Sequence, residues 1–313
     1  MISLEAIRAI CTGRIAIGEP LAGMTTFRLG GPADLFVEPM SASEVVALQR
    51  YAAERSIPML VLGRGSNILV SDEGFRGIVI NLERGFSQLD MQQEIVTAGA
   101  GVRLSAFVDF CIRHGYGGTE MLAGIPGTLG GAVVMNAGAY GGEISTYIVD
   151  VTIVRNGEVI VIPREKCGFR YRASDLGDSV VLSTRFILPP GDREAMQRRR
   201  RDLLLERNAK QPTTLPTAGC TFKNPPGTTA AELIEHCGLK GFSIGGAEVS
   251  ELHANFIVAR RESTARDVLD IINHVRAVVY EKTGKELQLE IRLVGFPDGA
   301  CKPLPLPGNG GAK

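Results

Sequence analysis

The sequence predicts an α+β protein that is divided into more than one domain. Its 313 residues are enough to bury large cores in two or three domains. Along the whole chain, segments of strand-like alternation follow segments in which apolar residues recur at helical spacing. A third feature is a stretch over residues 117–142, with nine glycines and one charged residue, Glu120. Together these observations predict three successive sections of mixed helix and strand, followed by a tail.

The first section has a β-α-β-β pattern that ends near Leu82. Residues 1–24 are predicted to form an N-terminal amphipathic helix. Residues 25–39 alternate around a glycine pair and predict a strand, a tight turn and a second strand. The helix that follows has Ser41 or Ser43 as its N-cap, because a serine oxygen accepts a free N–H group of the first helical turn.

The second section contains a helix, a hairpin and a charged helix. Helical spacing over residues 104–114 predicts the first helix. Asn156-Gly157, flanked by alternating apolar residues, is a strong signal for a hairpin turn. Residues 192–208 predict the charged helix, and its arginine run over 198–201 is typical of a solvated helix face.

The third section begins near Lys210 with a long loop. A short helix, a strand, a long helix and a final strand over residues 286–296 follow the loop. The tail is rich in Pro and Gly and has too little apolar material to fold. The predicted domains are an N-terminal helix (1–24), a first domain (25–190, with subdomains of about 25–82 and 83–190), a connecting helix (191–209), a second domain (210–296) and a disordered tail (297–313).

Composition excludes several classes of function. The formal net charge at pH 7 is zero, which gives no electrostatic basis for binding nucleic acid or an anionic membrane. No apolar run approaches the roughly 18 residues of a membrane span. We expect a cytoplasmic protein and, as a separate expectation, a monomer or weak oligomer. Neither a zinc site nor a disulfide framework is indicated, because the cysteines are scattered without CxxC pairs: they are Cys11, Cys111, Cys167, Cys220, Cys237 and Cys301.

Two glycine-rich features predict a cavity for a flat or anionic ligand. The stretch over 117–142 is too apolar for a flexible linker, and glycine lets the backbone approach a ring or a diphosphate closely. Residues 63–67, Gly-Arg-Gly-Ser-Asn, follow an apolar strand and can present N–H groups and a hydroxyl to a pyrophosphate. The P-loop, the Rossmann fingerprint, HExxH and GxSxG are all missing from the sequence.

Five motifs carry a resemblance to a known family. In chain order they are VLGRGSNILVSDEGFRGIVINL, AGIPGTLGGAVVMNAGAYGGEI, FRYRASDL, AGCTFKNPPG and LEIRLVGF. The chain thereby resembles the UDP-N-acetylenolpyruvoylglucosamine reductases (MurB), flavoenzymes of peptidoglycan precursor synthesis, from about Thr25 to Phe296. The first two motifs also occur more loosely in other flavoproteins of the vanillyl-alcohol-oxidase type, whereas the last three are more particular to this family.

The resemblance implies a two-subdomain FAD-binding unit of the vanillyl-alcohol-oxidase (PCMH) type, followed by a smaller α+β substrate-binding domain. The implied reaction is the NADPH-dependent, FAD-mediated reduction of UDP-N-acetylglucosamine enolpyruvate to UDP-N-acetylmuramate. No metal is implied. Lys210 and Asn224 match positions that contact the substrate nucleotide and diphosphate. The residues implied to bind FAD are Gly63, Arg64, Gly65, Ser66, Asn67, Ile125, Pro126, Gly127, Thr128, Gly130, Gly131, Asn136 and Gly138.

Three residues are implied to carry the chemistry. Arg172 resembles the arginine that polarises the substrate carboxylate, a role that suits a planar and permanent cation. Glu290 is expected on a strand, on the face opposite Leu289 and Ile291, where it helps to stabilise the enolate. Cys220 stands where many members of the family have a serine that donates a proton to the substrate carbanion.

The cysteine is a departure with chemical consequences. A thiol, with an ordinary pKa of about 8.5, is a far stronger acid than an alkyl hydroxyl, so Cys220 preserves the donor chemistry. Ionisation or oxidation of the thiol would abolish it. A second departure is the short interval between Arg172 and Cys220, which leaves little room for the tyrosine-bearing loop of the longer subgroup.

Two other functions stay open at this point. The chain could be another flavin-dependent oxidase or dehydrogenase that shares only the FAD fold, but this would leave the last three motifs unexplained. It could also be a non-catalytic nucleotide-binding module, although such a protein does not need a proton donor. Lys223 is a further candidate for substrate contact, while a lone histidine such as His253 is more often simply hydrogen-bonded.

Overall fold

The computed structural model describes residues 2–301. The α-helices in these residues are α1 (Leu4–Ile10), α2 (Ala42–Glu54), α3 (Leu104–Arg113), α4 (Leu129–Val134), α5 (Arg193–Lys210), α6 (Ala230–His236) and α7 (Ala265–Thr283). Short 3-10 helices span Leu21–Met24, Glu120–Leu122, Ile144–Tyr147 and Arg164–Lys166. The strands are β1 (Ile15–Pro20), β2 (Pro32–Val37), β3 (Met59–Val61), β4 (Ile68–Val70), β5 (Phe75–Ile80), β6 (Leu89–Gln92), β7 (Ile95–Gly99), β8 (Gly138–Ala139), β9 (Gly142–Glu143), β10 (Ile148–Arg155), β11 (Glu158–Pro163), β12 (Val180–Ile187), β13 (Ser243–Ile244), β14 (Ala247–Val249), β15 (Ile257–Ala259) and β16 (Arg292–Val294).

The chain forms two compact units, each with its own hydrophobic core. Among the described residues, the first unit contains 2–19, 33–64 and 76–207, and the second contains 20–32, 65–75 and 208–301. The two early segments of the second unit were not anticipated from the sequence. One reason is the parallel pairing of β4 with β16, which joins parts of the chain that are far apart in sequence. The predicted boundaries of the functional domains stay a prediction.

The first unit is built on two sheets. A four-stranded sheet has the order β1-β2-β5-β3, and a five-stranded sheet has the order β11-β10-β12-β7-β6. The helix α3 buries one face in the core of this unit, with the Phe107 ring 4.8 Å from that of Phe186 on β12. The predicted hairpin is confirmed: β10 pairs with β11, and the turn residues Asn156 and Gly157 have φ values of 53° and 73°.

The second unit combines a three-stranded sheet, β13-β14-β15, with the β16-β4 pair and the long helix α7. The long helix predicted in the third section is confirmed as α7. Thr264 is its N-cap and forms a capping box with Asp267, in which each side chain binds the other residue's N–H group. Gly284 ends the helix with a φ of 67°, a backbone conformation that glycine adopts without a Cβ clash.

The N-terminal helix is shorter than the region assigned to it. It ends at Ile10, and β1 and a 3-10 helix occupy residues 15–24. The chain turns at Gly13, where a Cβ would lie only 1.8 Å from the carbonyl oxygen of Glu38. Residues 25–39 contain one strand, β2, and not two, because the preceding loop passes through positive φ angles instead of an extended conformation.

The final strand is also shorter than predicted, because the segment changes partner. Only Arg292–Val294 form β16, paired with β4. Residues 288–290 pair instead with residues 221–223. The Glu290 N–H group donates to the Thr221 oxygen, and Leu289 forms an antiparallel β-bridge with Phe222.

Of the predicted tail over 297–313, residues 302–313 lie outside the described residues. The Nδ2 group of Asn273 on α7 donates to the carbonyl oxygen of Ala300 at 3.1 Å, so the segment before residue 302 is attached to α7. Within residues 2–301, no helix combines the length and the apolar character needed to cross a lipid bilayer.

Candidate active site

In the first unit, two of the segments predicted to bind the cofactor meet. Gly63 follows β3, and a Cβ at this position would lie 2.4 Å from the Oγ1 atom of Thr128, which is the N-cap of α4. The buried side chain of Asn81 holds this part of the turn, because its Nδ2 group donates to the carbonyl oxygens of Leu62 (2.9 Å) and Gly63 (3.3 Å). Only glycine permits this close approach.

The start of α4 has one glycine facing the core and one facing open space. Gly130 is buried, and a Cβ there would lie 2.8 Å from that of Ala100. Gly131 is exposed, and the nearest atom to its hypothetical Cβ is the Thr128 Oγ1 at 3.7 Å. A backbone hydrogen bond from the Leu104 N–H group to the Gly127 oxygen fixes the preceding loop. The α4 backbone at Gly131 is therefore open to close approach by a flat ligand.

Asn136 and Gly138 have structural roles in this unit. Asn136 is fully buried with a φ of 44°, and its Nδ2 group donates to Glu143 Oε2 at 2.7 Å and to the Arg170 carbonyl oxygen at 3.2 Å. A Cβ on Gly138 of β8 would lie 2.1 Å from the oxygen of Gly142 on the paired strand β9. Asn136 therefore holds the backbone of Arg170 and the side chain of Glu143 in place.

Arg172 lies at the tip of a tight turn. The backbone groups of Arg170 and Ala173 exchange two hydrogen bonds of 3.0 Å, and Arg172 between them has a φ of 53°. Its guanidinium carbon lies 5.0 Å from the centre of the Tyr171 ring. The hydroxyl of Ser174 donates to the Val134 oxygen at the end of α4, at 2.7 Å. The position of Arg172 is thus set by bonds on both sides of the turn.

In the second unit, three predicted site residues are neighbours. The Nδ2 group of Asn67 donates to the carbonyl oxygen of Glu290 at 3.1 Å, and the Arg292 N–H group donates to the Asn67 oxygen at 3.0 Å. The Glu290 N–H group donates to the oxygen of Thr221, the residue after Cys220, at 2.9 Å. Asn67, Cys220 and Glu290 therefore lie on hydrogen-bonded segments of the same unit.

The segment that carries Cys220 is held by a buried asparagine. Asn255 receives the Thr221 N–H group on its backbone oxygen, and its side chain both accepts from the Phe222 N–H group and donates to the Phe222 oxygen, at 2.8 to 2.9 Å. Cys220 itself is half-buried, and its backbone pairs with that of Phe256 in an isolated antiparallel β-bridge. Asn255 is 2% exposed, so these bonds are shielded from water.

Of the two predicted substrate-binding residues, Asn224 lies in the loop before α6 and Lys210 lies at the end of α5. Asn224 uses its Oδ1 atom to accept the Ala230 N–H group at the start of α6, at 3.0 Å. Its Nδ2 group has no protein partner in the described part of the chain, which leaves two donors for a ligand. Lys210 is the exposed last residue of α5.

His253 supports the asparagine that holds the cysteine segment. Its Nδ1 atom accepts the Asn255 N–H group at 3.3 Å, and its ring packs edge-on against Phe256. Burial lowers the pKa of His253 from the ordinary value of 6.5, because the charged imidazolium loses its hydration. His253 is therefore a neutral hydrogen-bonded residue, as the sequence indicated.

The turn over residues 63–67 has the donors that a pyrophosphate needs. Among residues 2–301, the N–H groups of Gly63, Arg64 and Gly65 have no hydrogen-bond acceptor. Gly65 is buried, with a φ of 57° and a hypothetical Cβ 2.5 Å from the Met24 oxygen, so this point of the turn has no space for a side chain. Successive free N–H groups at a glycine turn are a common anion-binding arrangement.

Known proteins match both halves of the chain. Residues 33–162 match the FAD binding domain family, and residues 211–294 match the C-terminal domain of UDP-N-acetylenolpyruvoylglucosamine reductase. The UDP-N-acetylenolpyruvoylglucosamine reductase of Heliobacterium modesticaldum is 45% identical over 90% of this chain and 91% of its own length. The chain belongs to the UDP-N-acetylenolpyruvoylglucosamine reductase family.

Further family members extend this result. The reductase of Lachnoclostridium phytofermentans is 41% identical over 93% of this chain and 96% of its own length. The crystal structure of MurB from Thermus caldophilus matches 90% of this chain and 98% of that chain, with 35% sequence identity and a TM-score of 0.78. The predicted α+β fold class and the predicted cofactor, FAD, are confirmed. Between Arg172 and Cys220 the chain holds β12, α5 and a loop, without a further segment for the tyrosine-bearing insertion.

Asn81 and Asn255 were missed as supports of the site. Both stand beside apolar strand residues, in GIVIN and in HANFIVA. An amide in such a setting is buried by its neighbours and must find backbone partners, because a buried unpaired amide costs about 1–3 kcal/mol. This pattern could have predicted that each holds a loop.

Gly63→Ala should weaken FAD binding. The added methyl group must displace Thr128, and overpacking that costs about 1–3 kcal/mol corresponds to an affinity about 5-fold to 150-fold lower. Titration of the apoprotein with FAD measures this. Gly177→Ala, in the same unit but with nothing within 4 Å of its hypothetical Cβ, is the matched control. Equal affinities for all three proteins would show that the contact does not matter.

His253→Gln should reduce the loss of stability at acidic pH. Below pH about 6.5 the unfolded chain binds a proton at His253, whereas the folded chain, in which the pKa of His253 is lowered, does not. The free energy of unfolding is therefore higher above that pH and falls as the pH drops. Urea denaturation at pH 7 and pH 5.5 tests this. The exposed His236→Gln is the control, and an identical pH dependence in wild type and His253→Gln would refute the assignment.

Proposed function

We propose that the chain reduces UDP-N-acetylglucosamine enolpyruvate to UDP-N-acetylmuramate, with NADPH as co-substrate, in peptidoglycan precursor synthesis. The observation that carries the proposal is that family similarity covers 90% of the chain while Cys220 and Glu290 lie on adjacent, hydrogen-bonded segments. A binding module alone would not need a thiol and a carboxylate on these adjacent segments.

FAD, when bound, supplies the hydride chemistry, since it can take a hydride from a nicotinamide and pass it to an activated double bond. We propose that the residues of the turn over 63–67 and those of the segment over 125–131 bind it. The free N–H groups of Gly63, Arg64 and Gly65 would bind its pyrophosphate, and the open backbone at Gly131 would line its ring.

Arg172 is proposed to bind and polarise the carboxylate of the enolpyruvyl group. Charge moves onto this carboxylate when a hydride adds to the adjacent double bond, and a fixed guanidinium stabilises that charge without reorganising. The bonds on either side of its turn hold the backbone of Arg172 in place before substrate arrives. Lysine would be a poor replacement, since it lacks the planar, two-pronged donor geometry.

Cys220 is proposed to donate the proton that completes the reaction, from its Sγ atom to the substrate carbanion. Glu290 is proposed to stabilise the enolate that precedes this proton transfer. Both positions depend on backbone contacts: Asn255 holds the residues that follow Cys220, and the Thr221 oxygen holds Glu290. Lys210 and the free Nδ2 group of Asn224 are proposed to bind the substrate nucleotide and diphosphate.

The main rival is a flavin oxidase or dehydrogenase of other specificity. The match of residues 211–294 to the reductase C-terminal domain favours the reductase over this rival and over a non-catalytic module. Location in the cytoplasm and a monomeric or weakly oligomeric state are proposed from the sequence.

The proposed function predicts that NADPH oxidation depends on the enolpyruvyl nucleotide. The FAD-loaded protein should consume NADPH rapidly only when UDP-N-acetylglucosamine enolpyruvate is present, with UDP-N-acetylmuramate formed in equal amount. Absorbance of NADPH and chromatography of the product measure the two quantities. Rapid oxidation of NADPH with oxygen alone, and none with the nucleotide under anaerobic conditions, would favour the oxidase.

Cys220→Ala should separate the two half-reactions. Reduction of the bound flavin by NADPH should stay near the wild-type rate, while its reoxidation by the enolpyruvyl nucleotide slows by about 100-fold or more because the proton donor is gone. Stopped-flow absorbance at the flavin band follows both steps. Cys301→Ala, half-buried in the same unit, is the control. If Cys220→Ala leaves both steps unchanged, another group donates the proton.

The pH dependence of reoxidation gives an independent test of the same role. A thiol donor loses its proton as the pH rises, so the wild-type rate should fall in the alkaline range. Cys220→Ser should lose this alkaline decrease, since a hydroxyl does not ionise in that range. An unchanged decrease in Cys220→Ser would assign it to a different group.

A further inference from the structure

A cleft outside the residues proposed to bind FAD or substrate lies between α3 and α5 in the first unit. Its cavity volume is about 530 Å³. The two helices contribute residues at helical spacing, so that one face of each lines the cleft. The main lining residues are Ala106, Asp109, Ile112, Arg113, Arg200 and Arg201.

The cleft carries uncompensated positive charge. Arg200 donates from its Nε atom to Asp109 Oδ1 at 2.9 Å, so these two charges offset each other. Arg113 and Arg201 have no acidic partner within 4.0 Å in the part of the chain that the structure describes. Two permanent cations facing one concave volume favour an anion, and their planar groups suit the oxygens of a phosphate.

The rest of the cleft surface is apolar. Ile112 and Ala106 present hydrocarbon to it, and the neutral Gln197 completes the α5 side. A ligand that joins a phosphate to an apolar body would use both parts of the surface, whereas inorganic phosphate would use only the arginines.

The arginine run of α5 divides into two pairs. Arg198 forms an exposed pair with Glu194, and Arg199 is exposed to solvent, as expected for a solvated face. Arg200 and Arg201 line the cleft instead. The difference arises because a helix turns about 100° per residue, so four consecutive arginines cannot share one face.

We propose that this cleft binds a phosphorylated small molecule with an apolar body, with the phosphate on Arg113 and Arg201 and the body on Ala106 and Ile112. The site is independent of the proposed reaction. Both helices also contact the loop before α4: Leu104 of α3 donates to Gly127, and a Cβ at Gly124 would lie 3.0 Å from Leu204 of α5. A ligand that bridges α3 and α5 therefore stabilises the packing around that loop.

Isothermal titration of the FAD-loaded protein with phenyl phosphate, inorganic phosphate and phenol tests the proposal. Phenyl phosphate should bind most tightly. Inorganic phosphate, which lacks the apolar contact, should bind about tenfold more weakly, and phenol, which lacks the phosphate, should not bind measurably. Arg113→Gln and Arg201→Gln should each weaken phenyl phosphate binding about tenfold. Arg199→Gln makes the same charge change on α5 outside the cleft and should bind phenyl phosphate as wild type does.

Several results would overturn the proposal. Unchanged phenyl phosphate binding in Arg113→Gln and Arg201→Gln would place the ligand elsewhere, as would an equal loss in Arg199→Gln. Equal affinities for phenyl phosphate and inorganic phosphate would remove the apolar part of the proposed ligand. Circular dichroism spectra that match wild type confirm that the exposed substitutions leave the fold intact.

Discussion

The backbone hydrogen bond from Glu290 to Thr221 joins two segments that are far apart in sequence, and the arrangement of the second unit depends on it. Residues 288–290 pair with 221–223, and only then does the chain continue into β16, where it pairs with β4. One extended segment thus pairs first with residues 221–223 and then with β4. The side chain of Asn67, immediately before β4, completes the arrangement by donating to the Glu290 oxygen. A thiol and a carboxylate are thus carried by paired main-chain segments, which the side chains of Asn67 and Asn255 hold in place.

In the first unit, glycine residues determine where the backbone can come close to other atoms. Its glycines are not equivalent: Gly63 and Gly130 are needed because neighbouring atoms leave no space for a Cβ, whereas Gly131 leaves the backbone of α4 open. Asn81 and Asn136 satisfy the polar groups of the loops that these glycines create. Close approach is compatible with hydrogen-bonded loop carbonyl groups here, because the buried amides of Asn81 and Asn136 replace the water that the loops exclude.

Much of the fold could be predicted from local signals. The hairpin at Asn156-Gly157 and the limits of α7 follow from turn and capping residues whose conformational preferences act within a few positions. The N-terminal helix and the final strand were predicted too long, because their ends are set by contacts with distant backbone. Gly13 lies against Glu38, and residues 288–290 pair with 221–223. Such contacts leave no local mark in the sequence.

For the site, the sequence by itself determined which residue types are present and the family to which they belong, because motif order and glycine spacing are properties of the chain. It indicated Arg172, Cys220 and Glu290 as the residues that carry the chemistry, but not which residues hold them in position. Only the tertiary structure decided that Asn255 holds the cysteine segment and that Asn136 is a support. It also decided that half of the arginine run faces a cleft. The physical reason is that hydrogen-bond partners and charge neighbours depend on distances between residues, and folding sets those distances through contacts across the whole unit.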